Sequence, residues 1–593
     1  MIKKFAVGNY RVFKELSDEI EFSKITILTG ANSSGKSSIS KALLLLKENT
    51  KKNIKLDRIE FSDDESNLGG IDFIRNNIKN DICFHVVTAP NINLRIGGLY
   101  LPKEFYFNTF YDKTNNTTTG FLNKFYCDIY DEKGKKHLLF SFYASKEGKD
   151  TTLFFNLSFI LNQIKNQYKK IPLEKRKLDE LSLGLSGYSL INKNDDFYLN
   201  GENILNYNKL DEIFSEEKKN ESKDLKIFYK ILNQSLLDFF TSCSIPKTIV
   251  QNPFLYWGFI KPFENESKGD HKDLLSLYFE KDLTDESYIL ENYIGLMANF
   301  ETEAINLDKH NFEGLEYKDY IKKISSFNIK DITNPIFFDF FKEIIIPYFI
   351  TMFRSYIDDF RFEYLEAVRN ASTRIFNSDN KWPFNKIIDE YYNLPSNYTE
   401  DAVSHKQDFL RKWLRIFEIG DDIIIENVGG IAKRVFITKN KKRTELCDLG
   451  YGVNQLLPML LKVIFSNKMT YDPIYTNLII EEPEANLHPK FQSILADFFI
   501  DVVENFEVRL IIETHSEYLI RKLQYLTGKK QVKPEDSIIY YFHDPQNIPK
   551  GEKQIKEIRI NEDGSLSDDF GPGFFDEATN WKFELLKLKN LSN

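Results

Sequence analysis

The sequence predicts an α/β protein whose main sheet is assembled from the two ends of the chain, and three observations predict it. A β-branched run, Ile25-Thr-Ile-Leu-Thr29, enters Gly30 and is followed by Ile39, Ala42, Leu43 and Leu46 at helical spacing. Beyond Thr444 the pattern alternates strand and helix, as in a mostly parallel sheet. Between these ends, roughly residues 155 to 350 read as mostly helical, with loops rich in Lys, Asn and Asp. Two segments far apart in sequence must therefore meet in space.

Taken in order, Ile2 to Val7 and Ile20 to Phe22 are short extended runs before the first buried strand. Residues 80 to 160 alternate as strands, and Asp131-Glu-Lys-Gly134 between Phe125–Tyr130 and Leu138–Tyr143 is a hairpin signal. Strand character resumes near Phe360, and from Asp422 to Thr444 two strands enclose Asn440-Lys-Lys442. The predicted domains are an N-terminal lobe at 1–154, a helical insertion at 155–354 and a C-terminal lobe at 355–593. No repeat and no sustained heptad pattern occurs.

With 593 residues, 42% of them hydrophobic and 28% charged, the chain has ample apolar material for more than one core. Its four cysteines (Cys83, Cys127, Cys243, Cys447) form no CxxC pair, which argues against a zinc ribbon or a disulfide framework. Glu15 and Asp18 interrupt any apolar leader. The most apolar long run, Phe337 to Phe353, carries Asp339, Lys342, Glu343 and Pro347 and reads as buried helix. A cytoplasmic protein away from the membrane is expected. The net charge of −9 argues against general coating of nucleic acid but not against a local basic groove.

Gly30-Ala31-Asn32-Ser33-Ser34-Gly35-Lys36-Ser37, followed by Ser38, fits GxxxxGK[ST] between a predicted strand and a predicted helix. Glycines there let backbone N–H groups wrap phosphates, and the helix N-terminus adds favourable partial charge. Lys36 is expected on the β- and γ-phosphates of ATP, and the Ser37 hydroxyl on Mg²⁺. Asn477-Leu-Ile-Ile-Glu481-Glu482 is an apolar strand ending in two carboxylates, at the edge where α/β sheets bind nucleotides. Glu481 is expected in the Mg²⁺ shell and Glu482 beside the attacking water. A second apolar strand, Val508 to Thr514, delivers His515 to the same edge, where it would contact the terminal phosphate or that water.

Larger motifs surround these residues. Glu481-Glu-Pro-Glu-Ala-Asn-Leu-His-Pro489 with Gln492, the upstream Asp448-Leu-Gly-Tyr-Gly-Val-Asn-Gln455-Leu-Leu-Pro458, and Glu513-Thr-His-Ser516 closely resemble the ABC-like ATPases of the SMC, RecF and OLD group. Asn9-Tyr-Arg11-Val-Phe13, Tyr364-Leu-Glu-Ala-Val-Arg369 with Arg374, and Phe574-Phe-Asp-Glu577 resemble further segments of that group. The resemblance covers about 1–80 and 355–593 and implies an ABC/SMC-type head with an antiparallel β subdomain. It also implies a composite site. ATP bound by the Walker motifs of one subunit, with Arg11 among its contacts, would be closed over by Gly450, Gly452, Asn454 and Gln455 of a second, giving a homodimer or higher oligomer.

Two departures stand out. Asn454 occupies a position usually held by Ser, and its amide can still donate. No Gln precedes Gln163, so the usual metal-contacting Gln is missing, and Asn67-Leu-Gly-Gly-Ile-Asp72 lies near its distance. Three Lys-rich stretches, Lys47 to Arg58, Lys165 to Lys177 and Lys433 to Arg443, read as solvated faces, the third being the best placed to reach nucleic acid. The aromatic clusters Phe105–Tyr111 and Phe337–Phe341 read as core.

No DxD and no HNH-like cluster accompanies these motifs, so a nuclease or toxin effector is expected as a separate protein. The leading reading is an ATP-gated switch in a prokaryotic defence system. A DNA-repair clamp, which would be DNA-stimulated, and a transporter ATPase, which the large insertion disfavours, are the alternatives.

Overall fold

The computed structural model describes residues 2–52, 58–61, 68–89, 95–96, 99–100, 102–113, 118–131, 133–144, 151–155, 181–182, 189–193, 196–199, 202–206, 356, 360–367, 373–377, 383–397, 399–466, 476–571, 574–575 and 577–591. The chain divides into two compact units. One comprises Met1–Ile2, Glu48–Ile74 and Ile78–Phe360, the other Lys3–Lys47, Arg75–Asn77 and Arg361–Asn593.

The first unit carries an antiparallel sheet in which Thr151–Phe155, Lys136–Ala144, Thr119–Tyr130, Phe105–Lys113 and Ile82–Thr88 lie side by side in that order. The expected hairpin is present. Gly134 supplies the positive φ of its turn, and the Asp131 carboxylate accepts the N–H groups of Lys133 and Lys135. Phe105, Phe107 and Phe125 are fully buried, and the Phe107 ring packs 4.8 Å from that of Tyr356, so the first aromatic cluster is core. The second, Phe337–Phe341, lies outside the described residues.

Most of the stretch read as helical also lies outside them. Its described residues between 181 and 206 differ from that reading, since they form a four-stranded antiparallel sheet. Ser189–Lys193, Asp196–Leu199 and Glu202–Asn206 are short runs separated in sequence by Asn194-Asp195 and Asn200-Gly201, turn-forming residues that interrupt a helix.

The second unit is built on six strands: β1 (Ile25–Gly30), β2 (Phe362–Leu365), β3 (Thr476–Glu481), β4 (Val508–Glu513), β5 (Ser537–Phe542) and β6 (Ile555–Ile558). Their order is β2-β3-β4-β1-β5-β6, parallel except for the antiparallel β6. Every residue of β1, β4 and β5 is buried, as parallel strands covered on both faces require. The N-terminal β1 lies between two strands from the other end of the chain, so the predicted meeting of the ends is observed.

Four helices matter to the site: α1 (Lys36–Lys52), α2 (Tyr451–Ser466), α3 (Pro489–Asn505) and α4 (Glu517–Gly528). On α1 the predicted face of Ile39, Ala42, Leu43 and Leu46 is buried. The core of the unit continues through Trp413 and Phe417 of a helix at Glu400–Ile416 and its C-cap, which meet Phe498 of α3 at ring distances of 5.0 and 5.9 Å.

A separate small sheet corrects one expectation. Asp422 to Glu445 contains three strands rather than two, Asp422–Val428, Ala432–Lys439 and Lys442–Glu445. Gly429 and Gly430, both at positive φ, make the first turn, and Asn440 and Lys441 make the second. No helix among the described residues is long and apolar enough to cross a membrane.

Candidate functional site

Because β1, β3 and β4 run parallel, their C-terminal ends share one edge of the sheet, and the candidate residues lie there. The loop after β1 is shaped by backbone that only glycine tolerates. Gly30 has φ 125°, and a Cβ on it would lie 2.3 Å from the Phe542 carbonyl oxygen at the end of β5. That carbonyl also accepts the Ala31 N–H at 3.1 Å. Gly35 has φ 115°, with Phe13 and Val12 side chains 2.7 and 2.8 Å from where its Cβ would be. The Asn9–Phe13 turn thus presses on the loop, and Arg11 stands exposed on that turn.

Lys36 Nζ donates to the carbonyls of Gly30 (3.2 Å) and Ala31 (2.7 Å), which curls the loop around the ammonium. Burial holds Lys36 below its ordinary pKa, while the carboxylates of Glu513 and Glu482 pull the other way. Ser34 and Ser38 are buried, Ala31 is half-buried, and Asn32, Ser33 and Ser37 are exposed.

Glu481 ends β3, and Glu482 turns away with φ 42°, its N–H donating to the Glu513 carbonyl at 2.7 Å. A left-handed non-glycine residue costs roughly 1–2 kcal/mol, and such strain is concentrated at functional sites. Glu482 is exposed.

His515 follows β4, and its N–H donates to Glu484 Oε1 at 2.7 Å. Burial and then the Lys36 ammonium push its imidazole below the usual pKa, so it is neutral near pH 7. Burial raises the Glu484 carboxyl above its ordinary value. Ser516 caps α4 by accepting the Leu519 N–H, and its hydroxyl donates to Gln492 Oε1 at 2.8 Å. Gln492 in turn donates to the Leu487 carbonyl. The loop after β3 and the His515 turn are therefore tied together.

The residues of the expected signature are placed differently from one another. Gly450 is exposed before α2, and Gly452 is half-buried, where a Cβ would lie 3.5 Å from the Asn486 carbonyl oxygen. Asn454 and Gln455 are buried within their own chain, donating to the carbonyls of Leu449 and Ala367. Arg374 bridges Glu445 and Asp448, each at 2.7 Å, and so anchors the segment just before the signature. Glu445, Cys447 and Asp448 could together surround a cation, but Arg374 and Arg434 already pair with the two carboxylates. Arg369 and Asn67 lie outside the described residues, and Asp72 pairs with Lys113.

Three contributors were given no role from sequence, although Glu513 and Tyr364 stand within the quoted motifs. Glu513 ends β4 directly beside Glu481 in register, and the Ser37 hydroxyl donates to its Oε1 at 2.7 Å. Burial, reinforced by Glu481 and opposed by the Ser37 hydrogen bond, pushes its carboxyl up to about 7. Tyr364 on β2 hydrogen-bonds Glu481 and receives Lys41 Nζ at 3.2 Å; burial and Glu481 raise its phenol well above the ordinary value. Gln554 braces the loop by donating to the Ser34 carbonyl at 3.1 Å. For Glu513 the signal was available: a carboxylate ending an apolar strand, as Glu481 does.

Hard oxygen donors suit Mg²⁺. Ser37 Oγ, Glu481 and Glu513 supply them at one edge, and Glu513 Oε2 is buried with no hydrogen-bond partner among the described residues. The residues present fit the cation.

A family model described as an AAA ATPase domain matches residues 1–520. The chain belongs to that family. Residues 532–585 of this AAA ATPase, which include β5 and β6, also match a family described as a protein of unknown function, DUF3696. No curated protein matches the chain. Among solved structures the chain is similar to an Smc head domain with an extended coiled coil, bound to the C-terminal domain of ScpA, from Pyrococcus furiosus. Identity is 12% and the TM-score 0.31, over 94% of this chain and 96% of that one. It is also similar to the SMC head domain from Thermotoga maritima, at 8% identity and a TM-score of 0.29, over 94% and 99% of the two chains.

The small basic sheet pairs part of its charge within the chain. Lys433 pairs with Asp389, Arg434 with Glu445 and Arg443 with Glu426, which fits a solvated face. Lys165–Lys177 lies outside the described residues.

Proposed function

We propose that this AAA ATPase binds and hydrolyses Mg-ATP at the P-loop edge, and that ATP joins two copies into a switch whose effector is a separate protein. One observation carries the catalytic part: Lys36, Ser37, Glu481, Glu482 and His515 converge on a single strand edge although they come from opposite ends of the chain. Lys36 would hold the β- and γ-phosphates. Ser37 and Glu481 would hold Mg²⁺, which when bound neutralises charge on those phosphates. Glu482 would orient and deprotonate the attacking water, and neutral His515 would contact the γ-phosphate. Arg11, on the turn pressed against Gly35, would face the nucleotide from the other side.

Support for the switch comes from Gly450, exposed with open space beside it, and from the half-buried Gly452 at the start of α2. They would close over the nucleotide of a second copy, while the buried Asn454 and Gln455 shape the turn from inside. The resemblance of the signature and acidic-strand motifs to the SMC, RecF and OLD group supports a role in prokaryotic defence.

The test is the solution mass of the Glu482→Gln variant with and without Mg-ATP. We expect the mass to double with ATP and to return to monomer when ATP is removed. An unchanged monomer would contradict the switch. Added duplex DNA that accelerates wild-type hydrolysis would instead favour a DNA clamp.

A further inference from the structure

Glu513 has no part in the chemistry proposed above, yet it contacts a cation-site residue directly. The Ser37 hydroxyl donates to its Oε1 at 2.7 Å. Only 6% of Glu513 is exposed, and its Oε2 is buried with no hydrogen-bond partner among the described residues. The register of β3 and β4 sets it directly beside Glu481, so both carboxylates reach the same edge. A buried carboxylate oxygen without a donor is costly unless a cation completes it. The nearby Lys36 ammonium is directed to the Gly30 and Ala31 carbonyls.

A neutral hydroxyl binds a cation through an oxygen lone pair and must place its proton elsewhere. We propose that Glu513 is a positioning residue for the cation site. By accepting the Ser37 proton in a hydrogen bond it turns the Ser37 lone pairs toward the Mg²⁺ of bound ATP, and its second oxygen completes the acidic wall beside Glu481. The inference rests on the ATP site proposed above and adds to it a carboxylate from the neighbouring strand.

The test uses the full chain with Mn²⁺ as a spectroscopic probe in the presence of a non-hydrolysable ATP analogue. Mn²⁺ affinity is read by electron paramagnetic resonance for wild type, Glu513→Gln, Ser37→Ala and the double variant. A fluorescent ATP analogue in EDTA reports metal-free nucleotide affinity for the same proteins. Partners of metal ligands are typically worth about 10- to 100-fold in metal affinity. Glu513→Gln should therefore weaken Mn²⁺ binding at least about tenfold while metal-free nucleotide affinity stays within about twofold. The losses from Glu513→Gln and Ser37→Ala should be less than additive, because one hydrogen bond joins them.

Unchanged Mn²⁺ affinity in Glu513→Gln would overturn the proposal. So would an equal loss of nucleotide affinity with and without metal, which would mark Glu513 as merely structural. A wild type that binds no nucleotide in either condition would overturn the ATP site as well.

Discussion

Glu482 and His515 show how much a single backbone contact can decide. The left-handed turn at Glu482 is pinned by its N–H on the Glu513 carbonyl, so adjacent carboxylates face different places and can take different tasks. At the same scale, Lys406 is buried among Phe465 and Phe506 and donates to the Ile464 carbonyl. Burial lowers its ammonium to about 8 from 10.5. Between these values the unfolded chain binds more proton than the folded one, so the contribution of Lys406 to stability rises with pH across this window and is constant below it. Measured against Lys406→Met, wild-type unfolding free energy should gain steadily from about pH 8 to 10.5. A flat difference would show that the lysine is not desolvated as described. Residues within contiguous motifs (Lys36, Ser37, Glu481, Glu482, His515) were legible in the sequence. Tyr364 and Gln554 had no role assigned, because their roles depend on which elements lie side by side, whereas Glu513 stood in a quoted motif and its place at the end of an apolar strand was passed over.

At the scale of elements, α4 begins where the site needs a fixed point. Its cap Ser516 accepts the Leu519 N–H and donates to Gln492 of α3, so one hydroxyl joins two helices next to His515. Losing such a cap costs roughly 1 kcal/mol. Ser516→Ala should therefore lower stability by about that amount and, by loosening the His515 turn, reduce turnover more than ATP affinity. Thermal unfolding and steady-state kinetics check this, and an unchanged turnover would separate the cap from the chemistry. Strand and helix alternation beyond Thr444 was readable because three strands there carry continuous apolar runs, Leu478–Ile480, Leu510–Ile512 and Ile538–Phe542. The Asp422–Glu445 region was misread by one strand because the Gly429-Gly430 turn was passed over in favour of Asn440-Lys441.

For the whole molecule, the decisive feature is that β1, from one end of the chain, is enclosed by β4 and β5 from the other. The P-loop lysine and the acidic pair meet only when both ends have folded together, so ATP binding reports on assembly of the complete sheet. This was legible from the position of motifs alone, since a P-loop near residue 30 and an acidic strand near residue 480 must share one site. The central claim, that this edge hydrolyses ATP with Glu482 acting on water, is tested most directly by Mg-dependent phosphate release from wild type and Glu482→Gln. The account predicts steady release by wild type and a loss of at least about 100-fold in the variant, with ATP still bound. A variant that releases phosphate as fast as wild type would contradict it.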